Sequence, residues 1–231
     1  MKTIKGRTCK SVVLLAAVSY FAPAVTYATN GLFMTGTGTK SRAMGGVGVA
    51  VQLDSLSSVA NPAVISGMDD RFDIGMDIFK PDVESQLGSV SAKSEASVNG
   101  LGLDSVFFLP HMGITYRYSS DITLGVAVAP TGGGGTKFTT NFYEAANAGD
   151  ANAPSVNTNL GVDYSVGTIN TTIAYKVNQQ HSVGAALVIG IARFEAYGLD
   201  LFSSFTPSNT TDRMTDQGKD WSIGAGARIG W

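Results

Sequence analysis

The chain has 231 residues, of which only 15% are charged and 28 are glycine. Ordinary soluble domains carry about 25% charged residues and about 7% glycine. The formal net charge is −2, a balance that argues against a nucleic-acid partner, because phosphate binding relies on clustered Lys and Arg.

Met1–Ala28 reads as a secretory signal. Lys2, Lys5, Arg7 and Lys10 form its positive end, Val12 to Ala22 its apolar stretch, and Thr26-Tyr27-Ala28 its cleavage site. The apolar run is too short to span a bilayer, which takes about 20 helical residues, so processing before Thr29 is expected. Cys9, the only cysteine, leaves with the signal. The mature chain then has no disulfide, no thiolate nucleophile and no thiolate metal site. It keeps 12 Lys and Arg against 18 Asp and Glu, a net charge of −6.

Residues 29–70 form the next unit. Asn30–Ala63 is rich in glycine and small residues and precedes every convincing strand. A compact non-strand segment ahead of alternating strands predicts a plug, or hatch, before a membrane barrel. Asp54 is placed to cap a short helix over Ser55–Ala60, which Pro62 ends because the residue before proline avoids the helical region. Gly45, Gly46 and Gly48 carry no side chains, so this part can press against a wall. From residue chemistry alone, Asn61-Pro62-Ala63 reads equally as a helix-ending turn or as a gate.

Residues 71–231 read as strands. In Arg71–Phe79, Phe72, Ile74, Met76 and Ile78 alternate with Arg71, Asp73, Gly75 and Asp77. Met112, Ile114, Tyr116 and Tyr118 alternate up to the turn Ser119-Ser120-Asp121, and Ile122, Leu124, Val126 and Val128 alternate back toward Pro130. Ile169, Thr171, Ile173, Tyr175 and Val177 lead to the turn Asn178-Gln179-Gln180, and Val183, Ala185, Leu187, Ile189 and Ile191 return. The apolar parity slips by one between Val166 and Ile169, which predicts a bulge or bend there. In the last strand Trp221, Ile223, Ala225, Ala227, Ile229 and Trp231 share one face. Ten steps of roughly 3.3 Å, tilted by about 40°, rise about 25 Å, the height of the outward apolar band of a membrane barrel. Trp221 and Trp231 at its ends fit the two aromatic girdles of such a barrel.

The turns on one side are short and the connections on the other are long, as for periplasmic turns and extracellular loops. Thr131 to Leu160 carries Phe138, Phe142 and Tyr143, and Gly198 to Lys219 carries Leu199, Leu201, Phe202 and Phe205. These apolar residues are candidates for hydrophobic ligand binding, or for packing among themselves. Lys137, Arg193 and Arg213 are the nearest cations for an acidic ligand. The inward face of the strand from Ser182, with Gly184, Ala186, Val188, Gly190 and Ala192, is small and uncharged, unlike the charged rings of a hydrophilic pore. About six strands are expected. The smallest single-chain barrels have about eight, so a truncated barrel is expected.

No enzymatic constellation is apparent, and no metal site or cofactor is expected. His111 and His181 have no acidic or thiol neighbour in sequence and read as interfacial polar residues. The glycines of Met44–Ala50 lack the third glycine and the preceding strand of a dinucleotide loop, and Lys137 is followed by Phe138 rather than the Ser or Thr of a phosphate loop.

Asn30-Gly31, Gly36 to Lys40, Met44-Gly45-Gly46, Gly48, Asp54 and Asn61-Pro62-Ala63 occur in an order that resembles the start of the mature chain in the outer-membrane FadL/TodX/OmpP1 family of hydrophobic-compound transporters. Leu109–Phe138 and Ile173–Gly190 are similar to the family's early strands. The resemblance implies an all-β fold: an antiparallel transmembrane β-barrel of 14 strands with an N-terminal plug, of which this chain covers about six strands. It implies a gate at Asn61, Pro62 and Ala63 beside a kinked strand. It further implies passive transport of long-chain fatty acids or aromatic hydrocarbons across the outer membrane of a Gram-negative bacterium. The implied partners are a hydrophobic small molecule, outer-membrane lipids and the barrel assembly machinery, with a monomer as the full-length state. A surface adhesin and a general porin are the alternative readings.

Overall fold

The computed structural model describes residues 31–96, 105–142, 159–199 and 215–231. A short helix, α1 (Gly38–Ala43), is followed by two 3-10 turns, Ser55–Val59 and Pro62–Ile65. Eight strands follow among the described residues: β1 (Arg71–Phe79), β2 (Glu84–Leu87), β3 (Val90–Lys93), β4 (Phe107–Arg117), β5 (Ile122–Phe138), β6 (Leu160–Lys176), β7 (Ser182–Tyr197) and β8 (Asp220–Gly230). Six of them make one antiparallel sheet in the order β1-β4-β5-β6-β7-β8, and β2 and β3 pair as a separate hairpin. Among the described residues, β1 and β8 are the edges of the large sheet.

The segment expected as a helix over Ser55–Ala60 is a 3-10 turn. Asp54 caps it as expected: its carboxylate accepts from the Leu56 N–H at 3.1 Å, and the Ser57 hydroxyl accepts from the Asp54 N–H at 3.2 Å. Asn61 and Pro62 follow too soon for a longer helix, and the last turn closes by an Ala60 N–H to Ser57 carbonyl bond of 3.1 Å. Short runs of this kind suit the tighter 3-10 geometry.

Two strands run further than the alternation suggests. β5 continues through Gly132–Gly135 to Phe138, and β6 starts at Leu160, so the first part of the stretch expected as a loop, up to Phe138, is paired backbone. The register shifts between Pro130 and Gly132, opposite Gly167 and Val166. The irregularity expected near Val166 is therefore present, but its extra residue is Thr131 on the partner strand. Pro130 has no N–H to give to a central ladder, and a bulge is where a sheet tolerates that.

The sheet is apolar on the wrong side for a protein in water. Phe72, Ile74, Met76 and Ile78 on β1 are all more than half exposed, and Ile223 and Ile229 on β8 are 79% and 86% exposed. The opposite face is covered by residues 32–68. Leu56 and Val59 pack on Ala127 and Ala129, and Ile65 and Met68 pack on Ala174. Full burial of a side chain such as Leu56 or Ile65 contributes about 1.5–3 kcal/mol. An exposed apolar face this extensive would aggregate in water and is satisfied by lipid. Placing a charge in its middle, as in Leu187→Lys, is expected to cost about 2–4 kcal/mol, measured by urea-titrated folding into lipid vesicles.

Candidate functional site

The N-terminal segment seats on the sheet at positions that lack side chains. A Cβ built on Gly184 of β7 would lie 2.5 Å from the Pro62 carbonyl carbon and 2.6 Å from the Ala63 nitrogen. One built on Gly230 of β8 would overlap the Asn61 amide oxygen, one on Gly125 would lie 2.7 Å from Ile65 Cδ1, and one on Gly113 would lie 2.5 Å from Ser55 Oγ. Glycine at these positions lets the segment approach the backbone itself. Asn61 fixes the turn: its Oδ1 accepts from the Ala63 N–H at 3.0 Å, and its Nδ2 donates to the carbonyls of Val49 at 2.8 Å and Trp231 at 3.2 Å. Asn61, Pro62 and Ala63 thus lie against β7 and β8. Gly45, Gly46 and Gly48 do not meet the wall. Gly45 faces open space, a side chain at Gly46 would strike Thr35, and Gly48 neighbours Ala60 and Ser41. Gly45 and Gly46, both at positive φ, turn the segment within itself, and the wall-facing glycines belong to the strands.

Polar contacts tie the same segment to β1 and β4. The Ser55 N–H and hydroxyl donate to Asp73 Oδ2 at 2.9 and 2.8 Å, and Arg71 pairs with the same carboxylate. Arg42 of α1 pairs with Asp77, whose Oδ2 lies 3.2 Å from His111 Nδ1. His111 is therefore not an interfacial residue. It is 3% exposed on the inner face, beside an acid that only cross-strand pairing brings near. His181 stacks on Trp231 at 5.6 Å, and both Trp221 and Trp231 are exposed on the outward face at the two ends of β8. Burial above all, and then the Asp73 charge, push the Asp54 carboxyl above its ordinary range.

Beyond the Thr131 bulge the apolar side of the sheet changes. Below it, Ile169, Ile173 and Tyr175 of β6 point outward and Asn170, Thr172 and Ala174 inward. Above it, Leu160, Val162, Tyr164 and Val166 share the inner face with Gly134, which meets Leu32 of the N-terminal segment, while Asp163 and Ser165 lie on the outer face. An apolar pocket of about 320 Å³ forms at this level from Leu87, Phe138, Phe142, Leu160, Val162 and Leu199, with Ser85, Gln86, Thr136 and Gly161. The Phe138 and Phe142 rings meet edge to face at 5.5 Å. Three of the apolar residues picked from sequence, Phe138, Phe142 and Leu199, are thus brought together. Tyr143, Leu201, Phe202, Phe205 and Arg213 lie outside the described residues. Leu87, Leu160 and Val162 were missed, because the β2–β3 hairpin and the start of β6 carry little alternation. The other two candidate cations face away from this pocket. Arg193 pairs with Asp163 at 2.7 Å and lies 5.9 Å over the Trp221 ring, and Lys137 lines a separate polar cavity of about 400 Å³ with Asp163, Glu195, Asp216 and Lys219.

A family model described as outer membrane protein transport protein (OMPP1/FadL/TodX) matches residues 15–229. The chain belongs to this family. Its fold is that of the family's β-barrel: the toluene transporter TbuX of Ralstonia pickettii superposes with a TM-score of 0.64 at 19% identity, over 84% of this chain and 52% of that one. An uncharacterized protein encoded in the 5′ region of the phosphoenolpyruvate carboxykinase gene of Chlorobium limicola is 35% identical over 98 residues, 41% of this chain and 47% of the relative. The chain spans about half the length of each.

Two outcomes follow from the seat. Gly184→Ala is expected to lift Pro62 from the wall at a cost of about 1–3 kcal/mol, whereas Gly226→Ala, with open space around it, stays within about 0.5 kcal/mol. Urea titration in vesicles compares them. For Asp54 the folded pKa is raised, so its support of the fold is fully present below the unfolded value of about 3.9 and is lost as pH rises through the higher folded value. Asp54→Asn keeps the cap and is expected to flatten that dependence, read by hydrogen exchange at Leu56 and Ser57.

Proposed function

We propose that the protein carries hydrophobic molecules passively across the outer membrane. In this reading residues 29–70 are the plug, Asn61, Pro62 and Ala63 are its gate, and the pocket around Phe138, Phe142 and Leu199 is an early binding site. The observation that carries it is the change of apolar side at Thr131. Below that level greasy side chains meet lipid; above it they line an inner pocket. Moving apolar surface from water into such a pocket is favourable by roughly 25 cal/mol per Å², so a ligand enters without an energy source. It then meets the seated segment, which must shift to let it pass. Membership of a transport-protein family and the fold shared with a toluene transporter support the reading.

Long-chain fatty acids and aromatic hydrocarbons are the candidate substrates. Cells producing the protein are expected to take up labelled oleate or toluene faster than cells lacking it. Phe138→Asp, which places a charge in the pocket, is expected to lower that uptake about tenfold, the equivalent of about 1.4 kcal/mol of binding. Equal uptake with and without the protein for every hydrophobic compound tried would reject transport. Swelling of protein-bearing liposomes in small sugars would instead identify a general porin.

A further inference from the structure

The N-terminal segment is held to the wall in two unlike ways. Asp54–Val59, Asn61–Ala63 and Ile65 are buried, and they seat on glycines of β4, β5, β7 and β8. In residues 36–46, which carry α1, only Gly38 and Ser41 are buried, and Met44 is 51% exposed. Gly38 rests on Leu56, but no apolar side chain of this stretch joins the core. Among the described residues no backbone hydrogen bond ties it to a strand.

One polar cluster fastens it to the wall instead. Arg42 Nη1 donates to Asp77 Oδ2, and the Thr39 hydroxyl donates to Asp77 Oδ1 at 3.4 Å and lies 3.4 Å from His111 Nε2. His111 Nδ1 stands 3.2 Å from the same Asp77 Oδ2. The wall is shaped for this meeting. Gly75 of β1 pairs with His111 of β4, and a Cβ on Gly75 would overlap the imidazole. Two strands and α1 thus converge on one carboxylate.

The stretch is also a lobe with a neck. Gly36, Gly38, Gly45 and Gly46 have φ between 71° and 92°, a region that glycine enters without strain. A Cβ on Gly36 would lie 2.8 Å from Gly46 Cα, so the two ends of the lobe touch. Compact loops with closed ends pack on themselves, and here the Gly46 N–H bonds the Ser41 carbonyl at 2.8 Å. The chain is moored on both sides of the neck. The Met34 N–H holds the Thr131 carbonyl at 3.0 Å, and Asn61 Nδ2 holds the Val49 carbonyl at 2.8 Å.

We propose that residues 36–46 are a clasped flap, which swings off β1 and β4 on its glycine neck when Arg42 leaves Asp77, while the Asn61-Pro62-Ala63 seat stays closed. The function of the flap rests on reading residues 29–70 as a plug, in which it is the part that yields first. The two openings differ in what they expose. Lifting the seat brings Leu56, Val59, Ile65 and Met68 into water together. Lifting the lobe bares one side of Leu56 and returns one ion pair to water, which replaces its hydrogen bonds. A few residues at the ends of a moving element absorb the backbone change of a hinge, and the paired glycines stand there.

Cys9 is the only cysteine, so the full chain with Cys9→Ser takes spin labels at chosen sites. Labels at Ala43→Cys and Ser120→Cys report on the flap, and labels at Ala60→Cys and Ser120→Cys on the seat; all three positions are exposed. Distances are read by pulsed electron resonance in detergent micelles. A second flap distance is expected to grow about tenfold in population in Asp77→Asn and in Arg42→Met, the size of effect that a charged hydrogen bond carries. The seat distance is expected to stay single. Arg42→Lys, which keeps the cation, is expected to show a smaller rise. Both distances splitting together would mean that the segment leaves as one body and would overturn the flap, as would a flap distance that stays unchanged in both variants. Should Arg42→Met fail to fold, Asp77→Asn alone decides, because it leaves the lobe's own sequence intact. No transport is measured, so failure of oleate or toluene uptake would reject the transport reading and leave this result standing.

Discussion

The close approach of the Asn61-Pro62-Ala63 backbone to Gly184 and Gly230 is the contact on which the rest of the molecule depends. It sets how near the N-terminal segment lies to the sheet. A Cβ layer at these two points would hold the segment off the wall. Leu56, Val59, Ile65 and Met68 would then lose the small residues Ala127, Ala129 and Ala174 beneath them. Ser55 would lose Asp73, and Asn61 would lose the carbonyl of Trp231. Dispersion contacts fall away over less than an ångström, so a steric change at two glycines would be felt along the whole seam.

Much of this was legible in the sequence, and the limits have physical causes. β1 and β8 show strict alternation because one face meets lipid and the other does not, so a period of two survives along their whole length. β5 and β6 lose that signal beyond Pro130. There the glycines Gly132–Gly135 pair as strand through hydrogen bonds that composition does not report. The bulge was visible as a parity slip on β6, yet the extra residue lies on β5, since a mismatch between two strands shows on both and belongs to one. The turn Asn61-Pro62-Ala63 was legible. The glycines it seats on were not, because alternation marks a strand's face but does not say what will land on it. His111 and Asp77 show the same limit, meeting only once β1 and β4 pair.

The swap of apolar side at Thr131 reconciles two demands on one sheet. A strand within lipid must be greasy outside, and a strand standing in water must be polar outside. The outer face obeys both in turn, from Ile173 and Ile169 to Ser165 and Asp163. Trp221 marks the level of the change on β8, and the Arg193–Asp163 pair sits against its ring. Because side chains alternate, polarity gained outside is apolarity gained inside, and Leu160 and Val162 become pocket lining without any further device.

The bulge has a second consequence. Its loosened backbone is met by the start of the N-terminal segment: the Met34 N–H bonds the Thr131 carbonyl at 3.0 Å, and the Gly133 N–H bonds the Leu32 carbonyl at 2.7 Å. At its other end the segment runs straight into β1 at Arg71. It is a span moored at both banks rather than a cork on a string. Loop-closure entropy rises only by about 0.6 kcal/mol for each doubling of length, so a mooring of this length costs little to keep. Such a span is held in register with the sheet from both ends, so the seat of Asn61-Pro62-Ala63 on Gly184 and Gly230 is fixed by contacts that lie far from it in the chain.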